Sequence, residues 1–226
     1  MVLAGNKTYA TLDDLPSRIP VFPLTGALLL PRAHLPLNIF EPRYVAMTDH
    51  ALAHDRVIGI VQPRFEDPSN QQASVPAICA VGGLGRLVSF QETGDGRYLI
   101  SLEGIARFRI REEIDTPTPF RMADVAYDDF LVDVAEERGE ADVDRAAVIR
   151  VFKDFLEAND LEADWKSVNG ASNEALVNTL AMMSPYGPAE KQALLEAPDL
   201  KARAATLVAI TEMALARQGD EKPVLN

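Results

Sequence analysis

The chain's three histidines are the first candidates for metal chemistry. His50 and His54 stand at i, i+4 in HALAH, the spacing that lets two imidazoles share one helix face, and His34 lies well upstream. HALAH has no glutamate to act as the base of a zinc hydrolase, so the pair reads as helix-end histidines, and no metal is expected. Cys79 is the single cysteine, which excludes an intrachain disulfide and a thiolate cluster. It sits in an apolar run where a thiol packs as a small hydrophobe. Serine has no GxSxG elbow, and none of the six lysines stands in apolar surroundings that would activate a Ser-Lys dyad. GGLG at 82–85 lacks the lysine and the following helix of a phosphate loop. Asp128 and Asp129 belong to an acidic run, which reads as a solvated face. No catalytic residue and no cofactor is expected, and the chain does not read as an enzyme.

Two charged groups remain. Arg107, Arg109 and Arg111 alternate with apolar residues in RFRIRE, so they would line one face of a strand. Such a stripe could meet RNA phosphates or pair with neighbouring acids. Glu41 and Arg43 flank Pro42 directly after Ile39-Phe40, a pair that looks buried. Glu41 suits a helix start, where the dipole favours an anion, and the two charges would tie the first helix to a sheet.

These residues need elements to hold them. From Arg18 to about Tyr127 the texture is that of strands: IPVFPL, ALLLP and LPLNIF are short apolar runs bounded by prolines. Proline lacks a donor and sits at strand ends and bulges, so a curled sheet or small barrel is expected. Pro42 fits the first turn of a helix with Tyr44, Met47, Thr48, Ala51 and Leu52 on one side. RVIGIVQPR, PAICAVGGLGRLVSF and the runs around Asp95-Gly96 read as further strands, and RMADVAYDDF could close the sheet. Gly82, Gly83 and Gly85 suggest a bulge or a close backbone approach. FEDPSNQQASV, 65–75, reads as a loop.

Past about 135 the period changes. Val148, Val151, Phe152, Phe155 and Leu156 mark one helical face. Leu176, Val177, Leu180 and Met183 mark a second, capped by Ser172 or Asn173. A short helix opens at Pro188, and a last one runs from about Leu200 to Leu215. The expected organisation is a curled β part over 18–127 and a helical part over 135–217, with flexible ends at 1–17 and 218–226.

The 226 residues carry a formal charge of −12. Residues 1–118 hold 11 Lys or Arg against 13 Asp or Glu, whereas residues 119–226 hold 11 against 21. Nucleic acid is therefore not an expected partner unless a basic patch is assembled locally. No apolar run approaches membrane-spanning length, and the N-terminus lacks a secretory signal, so a cytoplasmic protein is expected.

With these stretches in order, the chain resembles the N-terminal, substrate-binding domain family of the ATP-dependent protease Lon. IPVFPLTGALLLP, LPLNIFEPRYVAM, DGRYLISLEGIARFRI and EKQALLEAPDLKARAATL carry the resemblance over roughly residues 18–216. Pro23, Leu24, Pro31, Pro36, Phe40, Glu41, Pro42, Arg43 and Tyr44 match its first pattern. Gly82, Asp95, Gly96, Leu102, Gly104 and Phe108 match the central one, and Gln192, Leu195, Glu196 and Arg203 the last. The resemblance implies an α+β fold with a PUA-like, mainly antiparallel β subdomain, one short helix in it, and a C-terminal helical subdomain. It implies a non-catalytic, ATP-independent module that binds unfolded or flexible polypeptide, with no P-loop or protease domain in this sequence. An adaptor for one folded partner, such as a protease or chaperone, is the alternative, and an RNA-binding PUA-like module a further one. Pro23, Leu24, Pro36, Phe40, Glu41, Pro42, Arg43, Tyr44, Arg107 and Arg109 are the candidate framework or binding residues. An exposed apolar surface, an open strand edge or a groove between the two parts would serve.

Overall fold

The computed structural model describes residues 1–64, 70, 75–135 and 139–220. The loop expected at 65–75 falls, apart from Asn70 and Val75, outside the described residues, as does the end of the tail at 221–226. The chain divides into two compact units. One spans Met1–Glu136 together with Pro185–Glu196, and the other spans Glu137–Ser184 and Ala197–Asn226.

The first unit is a curled sheet. Its strands are β3 (Arg18–Pro23), β4 (His34–Ile39), β5 (Val57–Val61), β6 (Val81–Glu92), β7 (Tyr98–Ile114) and β8 (Arg121–Ala126), in the order β4-β7-β6-β5-β3-β8. β7 is long enough to hold β4 along its first half and β8 along its second, so the β7–β8 pairing closes β7, β6, β5, β3 and β8 into a ring. Among the described strands only β3 and β5 run parallel. Register shifts at Leu84/Gly85, Leu87/Ser89 and Ile110/Glu112 supply the bends that closure requires. Alternation along the strands turns Ile19, Val21, Leu84, Phe108 and Val125 into a common core.

Three expectations change here. The lead-in is ordered: β1 (Val2–Ala4) and β2 (Lys7–Tyr9) form a hairpin, followed by a 3-10 turn at Leu12–Asp14. Val2, Ala4 and Tyr9 are fully buried in the sheet's core, because even this short alternating segment presents one apolar face. The Gly5-Asn6 turn was a signal for it. ALLLP is not a strand. Leu28, Leu29 and Leu30 are all buried, so period two is absent, and the run crosses the sheet. Glycines make room for it: a Cβ on Gly83 would lie 2.0 Å from the Leu29 carbonyl oxygen, and one on Gly104 2.0 Å from that of Leu30. Phe40, finally, is 61% exposed, since it leaves the sheet just as β4 ends.

The helix after Pro188 also belongs to the sheet unit, which departs from the division drawn at 127/135. This helix, α5 (Pro188–Glu196), is fixed by polar groups buried in the sheet. Gln62 Nε2 donates to Pro188 O at 3.0 Å and to Gln192 Oε1 at 3.1 Å, and Gln192 Nε2 donates to Val81 O at 3.2 Å. Arg107 Nη1 donates to Leu195 O at 3.0 Å.

The second unit is helical: α2 (Arg145–Ala158), α3 (Trp165–Gly170), α4 (Asn173–Met183) and α6 (Leu200–Asp220). Asp144, Asp164 and Ser172 cap the first three with side-chain oxygens. Val148, Val151 and Leu156 are buried, as are Leu176, Val177 and Leu180, while Met183 is 79% exposed. Ala204, Leu207 and Thr211 form the buried face of α6. Within this unit Arg203 Nη1 donates to Asn178 Oδ1 at 3.1 Å.

Candidate functional site

The site grows from the first helix, α1 (Pro42–Ala53). Pro42 opens it because its missing N–H costs nothing there. Glu41 is the N-cap residue, but its carboxylate does not cap the helix. It accepts instead from Arg43 Nε at 3.0 Å, with Arg43 Nη2 at 2.8 Å. Both side chains are about half exposed, so the pair links neighbours at the helix start and does not tie helix to sheet. The Arg43 guanidinium lies 4.5 Å from the centroid of the Tyr44 ring, which packs on Phe22 at 4.1 Å. Tyr44, Met47, Thr48 and Ala51 are the buried face of α1.

Tyr44 borders a cleft of about 340 Å³. Four of its lining residues are prolines: Pro23 from the end of β3, Pro63, Pro76 and Pro119. Phe120, at the entry to β8, and Val75, which is 68% exposed, add apolar surface. Arg43 and Arg121 are its charged lining residues. Arg121 is itself anchored, with Nε 2.9 Å from Glu113 Oε2 and Nη1 donating to Pro76 O at 2.7 Å. Burial pushes the Tyr44 phenol above its ordinary pKa, Arg43 and Arg121 pull the other way, and Glu41 adds to the rise. The hydroxyl is therefore protonated at neutral pH.

A smaller cleft of about 260 Å³ lies beside Arg18, Pro20, His50, His54 and Asp55. The two imidazoles stack at 4.1 Å, and His54 Nδ1 contacts His50 O at 2.7 Å. Burial, and then the neighbouring His54, hold the His50 pKa below its usual value, so it is neutral at pH 7. Among the described residues no group of three metal-ligating side chains occurs.

The remaining sequence candidates lie elsewhere. Leu24 donates its N–H to Val61 O at 2.8 Å as a framework contact. Pro36 is exposed on β4, the end strand of the sheet. Arg107 is fully buried, with Nε and Nη2 each 2.9 Å from Asp133 and its plane 4.5 Å from the Phe130 ring centroid. Arg109 pairs with Asp129 at 2.5 Å and Arg111 with Asp128 at 3.2 Å. The arginine stripe is thus matched, one for one, by the acids of the 3-10 segment Asp128–Asp133, and no free cationic groove results. Lys191 also differs from expectation, for partial burial lowers its pKa. Sequence reasoning missed Pro63, Val75, Pro76, Pro119, Phe120 and Arg121. Their prolines were visible, but only the fold brings the β5–β6 and β7–β8 connections together beside α1.

The family model of the ATP-dependent protease La (LON) substrate-binding domain matches residues 18–212. The chain belongs to this family. The Lon-type domain is seen in its relatives as well: Lon protease 2 of Myxococcus xanthus is 26% identical over 199 residues, covering 84% of this chain and 23% of the relative. Lon protease of Escherichia coli K12 is 25% identical, over 92% of this chain and 26% of its own. The chain thus spans about a quarter of the length of these relatives. Two solved structures share the fold. The Lon N-terminal domain protein from Xanthomonas campestris superposes with a TM-score of 0.59 at 20% identity. The N-terminal domain of Mycobacterium avium complex Lon protease gives 0.62 at 20%. Each match covers 86% of this chain and 98% of the other. No ATPase or protease domain is matched.

Proposed function

We propose that this Lon-type domain is a non-catalytic module that holds flexible polypeptide in the proline-lined cleft beside Tyr44. The observation that carries the reading is the lining itself: an open, mostly apolar surface edged by two guanidinium groups, one of them anchored. Rigid prolines and aromatic rings offer contact area with little side-chain entropy to lose on binding. Such a surface takes apolar side chains from an extended chain and does not require one sequence. The family's description as substrate-binding agrees with this role. Among the described residues no helix is long and apolar enough to cross a membrane, and the reading places the protein with client chains in the cytoplasm.

The test is fluorescence anisotropy with a reduced and alkylated, permanently unfolded protein. Val75→Asp puts a charge on an exposed lining residue without touching the core, and it weakens binding by about tenfold or more. Absence of binding at high micromolar concentration, or an unaffected Val75→Asp variant, overturns the reading. Saturable binding to one folded protease or chaperone, without binding to unfolded chains, would replace it with the adaptor role.

A further inference from the structure

The same cleft contains an unspent set of hydrogen-bond donors. Tyr44 is 8% exposed, and its hydroxyl has no hydrogen-bond partner among the described residues. Arg43 commits Nε and Nη2 to Glu41, which leaves Nη1 free of any described contact. Arg121 commits Nε to Glu113 and Nη1 to the Pro76 carbonyl, which leaves Nη2. Arg121, whose side chain is 19% exposed, is held by its two contacts, and the half-exposed Arg43 is oriented more weakly by Glu41. Arg43, Tyr44 and Arg121 line the same cleft, and the Arg43 guanidinium lies 4.5 Å from the Tyr44 ring centroid. Three donors beside apolar walls, with no acidic residue among the described lining residues, suit an anion that accepts hydrogen bonds.

We propose that this site captures the C-terminal carboxylate of a client chain whose last residue is apolar, with that side chain seated on the prolines and Phe120. The inference rests on the polypeptide-binding role argued above. A volume of about 340 Å³ encloses one or two residues of a peptide. Within that length an internal acidic residue is a poor occupant. Its apolar neighbour along an extended chain points to the opposite face, and the next residue on the same face is about 6.7 Å away. A terminal residue has no such conflict, because its carboxylate and its side chain leave the same Cα. Capture of a C-terminal carboxylate by clustered N–H donors is a known mode of peptide recognition, and guanidinium groups suit a carboxylate.

The experiment uses the full chain and fluorescein-labelled Gly-Ser-Gly-Ser-Ala-Leu, once with a free carboxylate and once amidated. The free acid binds about tenfold more tightly or better, as the loss of charge-assisted hydrogen bonds implies. Tyr44→Phe, Arg43→Gln and Arg121→Gln each remove most of that difference, read as the ratio of the acid's affinity to the amide's for the same variant. Tyr44→Phe keeps the ring on Phe22, so its folding is secure, and Arg97→Gln on the distant β6–β7 turn changes neither peptide. Equal binding of acid and amide overturns the proposal. So does an amidated peptide with Glu before Leu that binds as tightly as the free acid, since the donors would then serve side-chain carboxylates. If unfolded protein binds in a Val75-dependent way while acid and amide are equal, this proposal alone fails. If unfolded protein and both peptides fail to bind, the broader role falls with it.

Discussion

Arg107 and Arg109 stand two positions apart on β7 and look interchangeable in RFRIRE. The Arg107–Asp133 pair is buried, with side-chain exposures of 1% and 4%, whereas Arg109 and Asp129 are about half exposed. Arg107 also satisfies the Leu195 carbonyl, and Asp133 accepts from the Arg107 backbone N–H at 2.8 Å. Removing one partner of a buried pair strands the other charge without water. Arg107→Ala is therefore expected to cost about 3–5 kcal/mol of unfolding free energy. Arg109→Ala is expected to cost no more than ~1 kcal/mol, because solvent screens its pair. Urea unfolding of the two variants decides it, and similar losses at both positions would contradict the assignment. The sequence showed the arginines, and it showed the acids of DDFLVD, but not that 111, 109 and 107 meet 128, 129 and 133 in antiparallel order. That pairing depends on β7 and β8 being neighbours, which no local pattern encodes.

At the scale of elements, the leucine run and the glycines of β6 and β7 explain each other. Glycine in a strand interior weakens it, so several in one strand need a reason, and here the reason is a chain passing overhead. The Leu29 and Leu30 carbonyls approach Gly83 and Gly104 too closely for any Cβ. Gly104 N–H also donates to Ala33 O at 2.8 Å, and Arg32 N–H to Gly104 O at 2.7 Å, so the crossing chain is bonded to the strand that it covers. Gly83→Ala or Gly104→Ala must push backbone from backbone, and each is expected to cost about 3 kcal/mol or more. Gly94 is a useful contrast. It has φ +81° in the β6–β7 turn, and a Cβ attached there would meet nothing within 4 Å. Gly94→Ala therefore carries only the left-handed backbone penalty of about 1 kcal/mol. Thermal unfolding of the three variants separates the two mechanisms, and equal losses would refute the close-approach account. Gly82, Gly83 and Gly85 suggested a bulge or a close approach from the sequence alone. The identity of the approaching chain stayed hidden because LLL has no period and reads equally well as a buried strand.

For the whole molecule, the unit that carries the cleft is assembled from two stretches far apart in sequence. The change of hydrophobic period near 135 was legible, and it separated strands from helices correctly in kind. It could not reveal that α5 returns to the sheet, because a short helix looks the same whichever surface receives it. The polar contacts decide the matter: Gln62 and Arg107 spend donors on Pro188, Gln192 and Leu195. Leu194 and Leu195 are 0% and 3% exposed within that arrangement. Leu195→Ala is accordingly expected to lower stability by about 2–5 kcal/mol. The loss should appear in a particular place. Amide hydrogen exchange should accelerate in β5, β6 and β7, the strands that bear Gln62's neighbours, Val81 and Arg107, before it does in α2, α4 and α6. The reverse order, with the helices losing protection while β5 to β7 keep theirs, would assign α5 to the helical unit.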